Sequence, residues 1–243
     1  MVNNTMELIA GNSDFLNEGI SETSLHNNST VLKSDKGQSV GIFEDRLIWK
    51  FKQHPKGNIH NHFLRKKLVM KHQRAEMFYS DFEGSCCKPY GIWASESGYY
   101  LLLEYLKFKN IGSLKANGSL NDPEQMKNMV TAVASLLGSI HQKGYSHGDI
   151  KWANILYDQE KQTPYLIDLD SVKKVSSVSA KACRMDVARF VRDAARLGAS
   201  DEPISIFIDC YASKTGQSYE TVVRSIQAPL SKLTERHYIK IKP

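Results

Sequence analysis

The stretch Ser146-His147-Gly148-Asp149-Ile150-Lys151-Trp152-Ala153-Asn154-Ile155-Leu156, followed by Tyr165-Leu166-Ile167-Asp168-Leu169-Asp170, decides how this chain reads. Asp149 and Asn154 stand five residues apart in a loop predicted between a helix and a strand. Asp168 sits at the end of the next predicted strand. Two carboxylates and an amide offer hard oxygen ligands, which suit Mg²⁺. Phosphoryl transfer needs such a set. One carboxylate orients an attacking hydroxyl and accepts its proton; an amide oxygen and a second carboxylate hold the metal against phosphates. Lys151 can place positive charge beside the transferred group. His147 reads as a brace for the loop rather than a catalyst.

Around this stretch the elements change character. Asn121-Asp122-Pro123-Glu124 is a helix start, with an Asn or Asp cap and Pro near the first helical position. Met126, Met129, Val130, Val133, Leu136, Leu137 and Ile140 keep helical spacing, and Gly144 ends the helix. Arg184–Leu197 and Gln217–Ile226 also read as helices. Upstream, Ser29–Lys33, Gln38–Phe43 and Arg46–Lys52 are runs rich in β-branched and aromatic residues, separated by turn residues, which predicts an antiparallel meander. A helix is predicted over Asn61–Phe82, then strands over Tyr90–Ala94 and Tyr99–Glu104. The expected fold is α+β: a β-rich N-lobe (29–106) with one inserted helix, then a reduced, mainly α C-lobe (107–243). Residues 1–28, rich in Asn, Ser, Glu and Gly, read as a flexible extension with one short helix near Ser13–Asn17.

The chain has 243 residues, 41% of them hydrophobic and 24% charged, the composition of an ordinary globular protein and not of a fibrous or disulfide-stapled one. The net charge of +6 and pI near 9.0 favour anionic partners. Nine Lys or Arg fall between Arg46 and Arg74, with no acid from Arg46 through Ala75. Lys173, Lys174, Lys181 and Arg184 follow the second motif. No recognition helix or stacking-aromatic motif accompanies these cations, so nucleic acid is not expected. Cys86, Cys87, Cys183 and Cys210 show neither a CxxC pair nor a zinc spacing and read as reduced thiols. No run approaches the roughly 18 apolar residues of a membrane span, and the first 30 residues lack the pattern of a secretory signal. A cytoplasmic protein, with action at a membrane face left open, is the expectation.

The catalytic stretch resembles that of the protein-kinase-like superfamily, whose loop reads His-x-Asp-x-Lys-x-x-Asn. It looks most like the lipopolysaccharide-core kinases that phosphorylate Kdo or heptose. The resemblance covers about Ser29–Leu197. It implies ATP and Mg²⁺ as cofactors and a glycan or glycolipid as acceptor, with transfer of the γ-phosphate to a sugar hydroxyl. It further implies Asp149 and Lys151 as catalytic residues and Asn154 and Asp168 as metal ligands. Leu47-Ile48-Trp49-Lys50 matches the family's strand lysine motif, so Lys50, in preference to Lys52, would neutralise the ATP phosphates. Glu76 would be its helix partner. Lys36 and Ser39, in a turn with one glycine, would cover the phosphates. Backbone groups of Glu104 and Leu106 would take the adenine edge, beside Leu103. Asp186 either hydrogen-bonds the catalytic loop from below or serves only as a helix N-terminal acid. Asp168-Leu169-Asp170 replaces Asp-Phe-Gly, and no Ala-Pro-Glu follows. Only a short stretch separates Asp170 from the next predicted helix at Arg184. The peptide-docking segment of typical protein kinases is thus missing, which points to a small-molecule or glycan acceptor. The alternatives are an aminoglycoside- or choline-type phosphotransferase, an atypical Ser/Thr protein kinase, and a non-catalytic pseudokinase scaffold.

Overall fold

The computed structural model describes residues 6–12 and 21–233. The chain divides into two units, Met1–Lys107 and Phe108–Pro243.

The first unit contains β1 (Glu7–Gly11), α1 (Glu22–Asn27), β2 (Ser29–Asp35), β3 (Gln38–Phe43), β4 (Leu47–Gln53), α2 (Asn58–Asp81), β5 (Pro89–Ala94) and β6 (Gly98–Glu104). The strands form one antiparallel sheet in the order β1-β5-β6-β4-β3-β2. The five expected strands and their inserted helix are all present. Two elements correct the reading of residues 1–28 as a flexible extension. Glu7–Gly11 pairs antiparallel with β5 as an edge strand. It ends at Gly11, where φ is +109° and a Cβ would lie 2.4 Å from the Tyr90 carbonyl oxygen, a place only glycine fits. Glu22–Asn27 is a helix started by a reciprocal Ser21/Ser24 capping box. Its Leu25 is fully buried in a core with Met6, Phe43, Leu47, Trp49, Trp93, Tyr100 and Leu102. The Asn, Ser, Glu and Gly of this stretch hid it, but Met6 and Leu25 both point inward. The helix expected near Ser13–Asn17 lies outside the described residues.

Alternation along β4 sends Leu47 and Trp49 into that core, with Phe51 packed against it. Ile48, Lys50 and Lys52 therefore take the other face. There Lys50 pairs with Leu101 and Lys52 with Tyr99 in register. The Tyr99 hydroxyl donates to Asn61 Oδ1 of α2 at 2.7 Å, which ties α2 to this side of the sheet, where it packs on β5 and β1.

The second unit contains α3 (Ile111–Ala116), α4 (Pro123–Gln142), β7 (Tyr145–Ser146), β8 (Ile155–Asp158), β9 (Thr163–Leu166), β10 (Lys173–Lys174), α5 (Lys181–Arg196), α6 (Asp201–Thr215) and α7 (Tyr219–Leu233). The Asp122 carboxylate caps α4 by accepting from the Glu124 amide at 3.0 Å, with Pro123 in the first turn. Its expected apolar face is buried, apart from half-buried Leu136. Helix α6 was not anticipated, although Ile204, Phe207, Ile208 and Tyr211 bury one helical face. Pro203 disguised it; in the first turn a missing N–H costs nothing. Two short antiparallel pairs, β7 with β10 and β8 with β9, carry the loops of interest.

Candidate active site

The loop between β7 and β8 is held by α5. The Asp186 side chain is fully buried and accepts the His147 amide at 2.8 Å and the Gly148 amide at 2.9 Å. It thus supports the catalytic loop from below, the first of its two expected roles. Such a carboxylate needs compensating charge. Arg189 supplies it at 3.5 Å and also donates to the Gly148 carbonyl at 2.5 Å. His141 Nε2 lies 3.5 Å from the same carboxylate, close enough for attraction but long for a hydrogen bond. One residue type alone serves at Gly148. Its φ is +85°, and a Cβ would stand 2.5 Å from the Ser171 carbonyl oxygen.

His147 ties this loop to the second motif. Its Nε2 lies 3.1 Å from the Ile167 carbonyl, and its Nδ1 3.4 Å from the Asp149 amide. A carbonyl on one side and an N–H on the other select the neutral ring protonated at Nε2. Burial lowers the ring's pKa against the attraction of Asp186 and other nearby carboxylates, in agreement with that tautomer. The expected bracing role fits.

Asp149 sits at the loop's turning point. Its Oδ2 accepts from Lys151 Nζ at 2.8 Å and from Asn154 Nδ2 at 3.0 Å. Asn154 Nδ2 also reaches the Asp149 carbonyl at 3.0 Å. With its nitrogen turned to Asp149, Asn154 keeps its amide oxygen for a cation. Asp168 follows β9, whose register the Ile167 amide extends by donating to the Asn154 carbonyl at 3.0 Å. Asp168 itself is left-handed, φ 63° and ψ 54°, a conformation non-glycine residues hold at some cost and often at functional sites. The structure thus brings Asp149, Lys151, Asn154 and the Asp168 backbone together in one unit. The oxygens of Asn154 and Asp168 are of the hard type that suits Mg²⁺, an ion that usually takes one or two protein ligands beside water and phosphate oxygens. No cluster of three protein ligands is required, and none occurs among the described residues.

The segment Leu169–Ala180 is short and pinned. Lys173–Lys174 pair with β7, the Val175 amide donates to the Gly144 carbonyl at 2.9 Å, and Lys174 Nζ lies 3.7 Å from the centre of the Tyr145 ring. Lys181 and Arg184 do not gather beside the loop. They line a groove of about 400 Å³ with Arg224 and Lys232 of α7.

In the first unit, Lys50 is half-buried, whereas Lys52, on the same face of β4, is exposed. Glu76, the expected partner of Lys50, meets His72 one turn earlier, Oε1 to Nε2 at 3.2 Å. Burial lowers the His72 pKa despite Glu76, so this contact joins a neutral ring to the carboxylate. The β2–β3 connection is a tight turn, Lys36-Gly37, between paired Asp35 and Gln38. The Lys36 amide donates to the Asp35 carboxylate at 2.8 Å, and the Ser39 and Ser34 hydroxyls lie 3.2 Å apart. The groups expected to cover phosphates are thus partly engaged within the hairpin. The Glu104 amide donates to the Lys88 carbonyl at 2.9 Å, and its Oε2 accepts the Lys88 amide at 3.0 Å, which fixes the strand end before Leu106.

Two supporting residues escaped the sequence reading. Arg189 is one. The other is Asp193, nearly fully buried, which accepts the Trp152 amide at 3.2 Å and pairs with Arg192 at 3.0 Å. Asp186 and Asp193 lie seven residues apart on the apolar side of α5. Acids at heptad spacing on a buried face were the available signal, since buried carboxylates require partners.

The protein kinase domain family matches residues 63–191. Serine/threonine-protein kinase D of Synechocystis is 31% identical over 87 residues, 36% of this chain and 16% of that protein. The B1 kinase of Vaccinia virus (strain Ankara) is 30% identical over 97 residues, 37% of this chain and 31% of that one. Serine/threonine-protein kinase 16 of Mus musculus is 37% identical over 79 residues, 31% and 26% of the two chains. The chain thus spans less than a third of the length of these relatives. Among solved structures, the pseudokinase domain of BIR2 gives a TM-score of 0.53 at 12% identity, covering 90% of this chain and 86% of that one. The bifunctional kinase-methyltransferase WbdD gives 0.51 at 13% identity, covering 79% and 42%. These two likenesses show the fold. The family match spans more than half of the sequence and takes in the loop built around Asp149, Asn154 and Asp168: the chain belongs to the protein kinase domain family.

Proposed function

We propose that the chain is an ATP-dependent kinase that phosphorylates a sugar hydroxyl of an anionic glycan or glycolipid, with Kdo or heptose of the lipopolysaccharide core as the leading candidates. The observation that carries this reading is the short, pinned Leu169–Ala180 segment, which leaves little chain to lay out a peptide beside Asp149. Asp149 orients the acceptor hydroxyl and accepts its proton as the hydroxyl oxygen bonds to the γ-phosphorus and the bond to ADP breaks. Lys151, held against Asp149 Oδ2, offsets charge on the transferred group. Asn154 and Asp168 would hold Mg²⁺, which supplies electrostatic stabilisation of the phosphates. Lys50, with Glu76 as partner, would neutralise the α- and β-phosphates. Lys36 and Ser39 would cover them, and the backbone of Glu104 and Leu106 would take adenine. On this reading the protein works in the cytoplasm, at the inner face of the inner membrane.

A protein Ser or Thr acceptor is the second reading. It is favoured by Lys151, which Ser/Thr kinases share, and by the names of relatives such as serine/threonine-protein kinase 16. One assay separates the two. Labelled ATP and Mg²⁺ are offered with core oligosaccharide, aminoglycosides, choline or a generic protein, each in turn. Label on the oligosaccharide is the expected result; label on the protein in preference to sugars would transfer the assignment to the second reading.

A further inference from the structure

Three of the large apolar side chains exposed among the described residues lie on one helix. Phe63, Met70 and Met77 of α2 are 66%, 48% and 53% exposed. Seven residues are almost two helical turns, so the three line up in one stripe that drifts only about 20° per step. At 1.5 Å per residue the stripe is about 21 Å long. Lys66, Lys67 and Arg74 are exposed on the same face, three or four residues from the apolar ones. The acids of α2, Glu76 and Asp81, come only near its C-terminal end, and Glu76 is turned to His72. The opposite side of the helix, with buried His72 and Ala75, packs onto the unit.

We propose that this face of α2 docks on an anionic lipid bilayer. The apolar residues would enter the boundary between headgroups and acyl chains, while the cations meet headgroup phosphates. Three apolar side chains hold a surface weakly, and so do three cations; together they make attachment that depends on both lipid charge and salt. A second copy of the same face is a poor occupant, because it would bring six cations together with no counter-charge between them. None of the side chains that would touch the bilayer is placed in the phosphotransfer site. Docking therefore stands or falls separately from the identity of the acceptor.

The test is co-sedimentation of the full chain with phosphatidylcholine vesicles, with and without phosphatidylglycerol, at low and high salt. Binding is expected only with phosphatidylglycerol and only at low salt. Phe63→Ser with Met70→Ser, and separately Lys66→Glu with Lys67→Glu, should each weaken it about tenfold or more. Lys127→Glu with Lys143→Glu makes the same charge change elsewhere and should weaken it far less. Thermal melts of all variants verify that these exposed substitutions leave the fold intact. Absent binding by wild type, equal binding to neutral vesicles, or equal weakening by the control pair would overturn the proposal. Full binding by the Phe63/Met70 variant would overturn it too, as would self-association in solution abolished by the same substitutions.

Discussion

Asp149 shares one oxygen, Oδ2, between Lys151 and Asn154, and this concentrates the chemistry of the loop at a single atom. Asp149→Asn keeps the size and removes the base. A folded variant whose phosphate transfer falls at least about 10²-fold is expected in a single-turnover assay with labelled ATP. Undiminished transfer would remove Asp149 from the reaction. Gly148→Ala tests the backbone instead. A Cβ there meets the Ser171 carbonyl in a left-handed conformation, so a loss of about 1–3 kcal/mol in denaturant unfolding is expected, with transfer lost as well. At this scale the sequence was most readable where a side chain's chemistry is its function. Spacing singled out Asp149, Asn154, Asp168 and His147, which the structure places in one unit around the same loop. Arg189 and Asp193 did not, because their task is to compensate buried charge, and that need arises only when α5 is laid under the loop.

Helix α5 holds the catalytic loop at two points, Asp186 under His147–Gly148 and Asp193 under Trp152. Asp193→Ala leaves the Trp152 amide and Arg192 without this acceptor. A destabilisation of about 1–3 kcal/mol by urea unfolding is expected. An unchanged midpoint would show that water replaces the carboxylate. Strand β4 poses the matching question in the first unit. Half-buried Lys50 should matter more than exposed Lys52, so Lys50→Ala should raise the KM for ATP more than Lys52→Ala does. The reverse order would mean that the phosphate-facing end of the strand was misplaced by one inward position. Strands β2 to β6 were legible because alternation and turn residues agree along them. Strand β1 was not, since its pairing is decided by the free edge of β5, which no local pattern reveals.

For the whole molecule, the switch from two-residue to helical periodicity disclosed the two units and their order. The contribution of residues 1–28 to the core was invisible, because it rests on single side chains. Leu25→Ala should cost about 2–5 kcal/mol, read by denaturant unfolding, despite its place near the chain terminus. Two buried histidines make stability sensitive to acid. His72 and His147 both have native pKa values below the ordinary 6.5 because burial disfavours their charged form. The unfolded chain therefore binds protons first on acidification. Their contribution to stability is complete above about pH 6.5 and is lost as pH falls below it. Melting temperatures measured from pH 8 to 5 should hold, then drop below about 6.5; a flat profile would show that neither ring resists protonation.

The pinned Leu169–Ala180 segment bears on control as well as on catalysis. Many kinases leave the corresponding stretch unordered until a phosphate added to it recruits an arginine and locks it in place. Here β10, the Val175 amide and the Lys174–Tyr145 contact already supply that order within the unmodified chain. The order of this segment does not wait on a covalent mark. On the proposed reading the enzyme runs constitutively, and its output follows the delivery of nucleotide and acceptor, the behaviour of a biosynthetic step more than of a signalling relay.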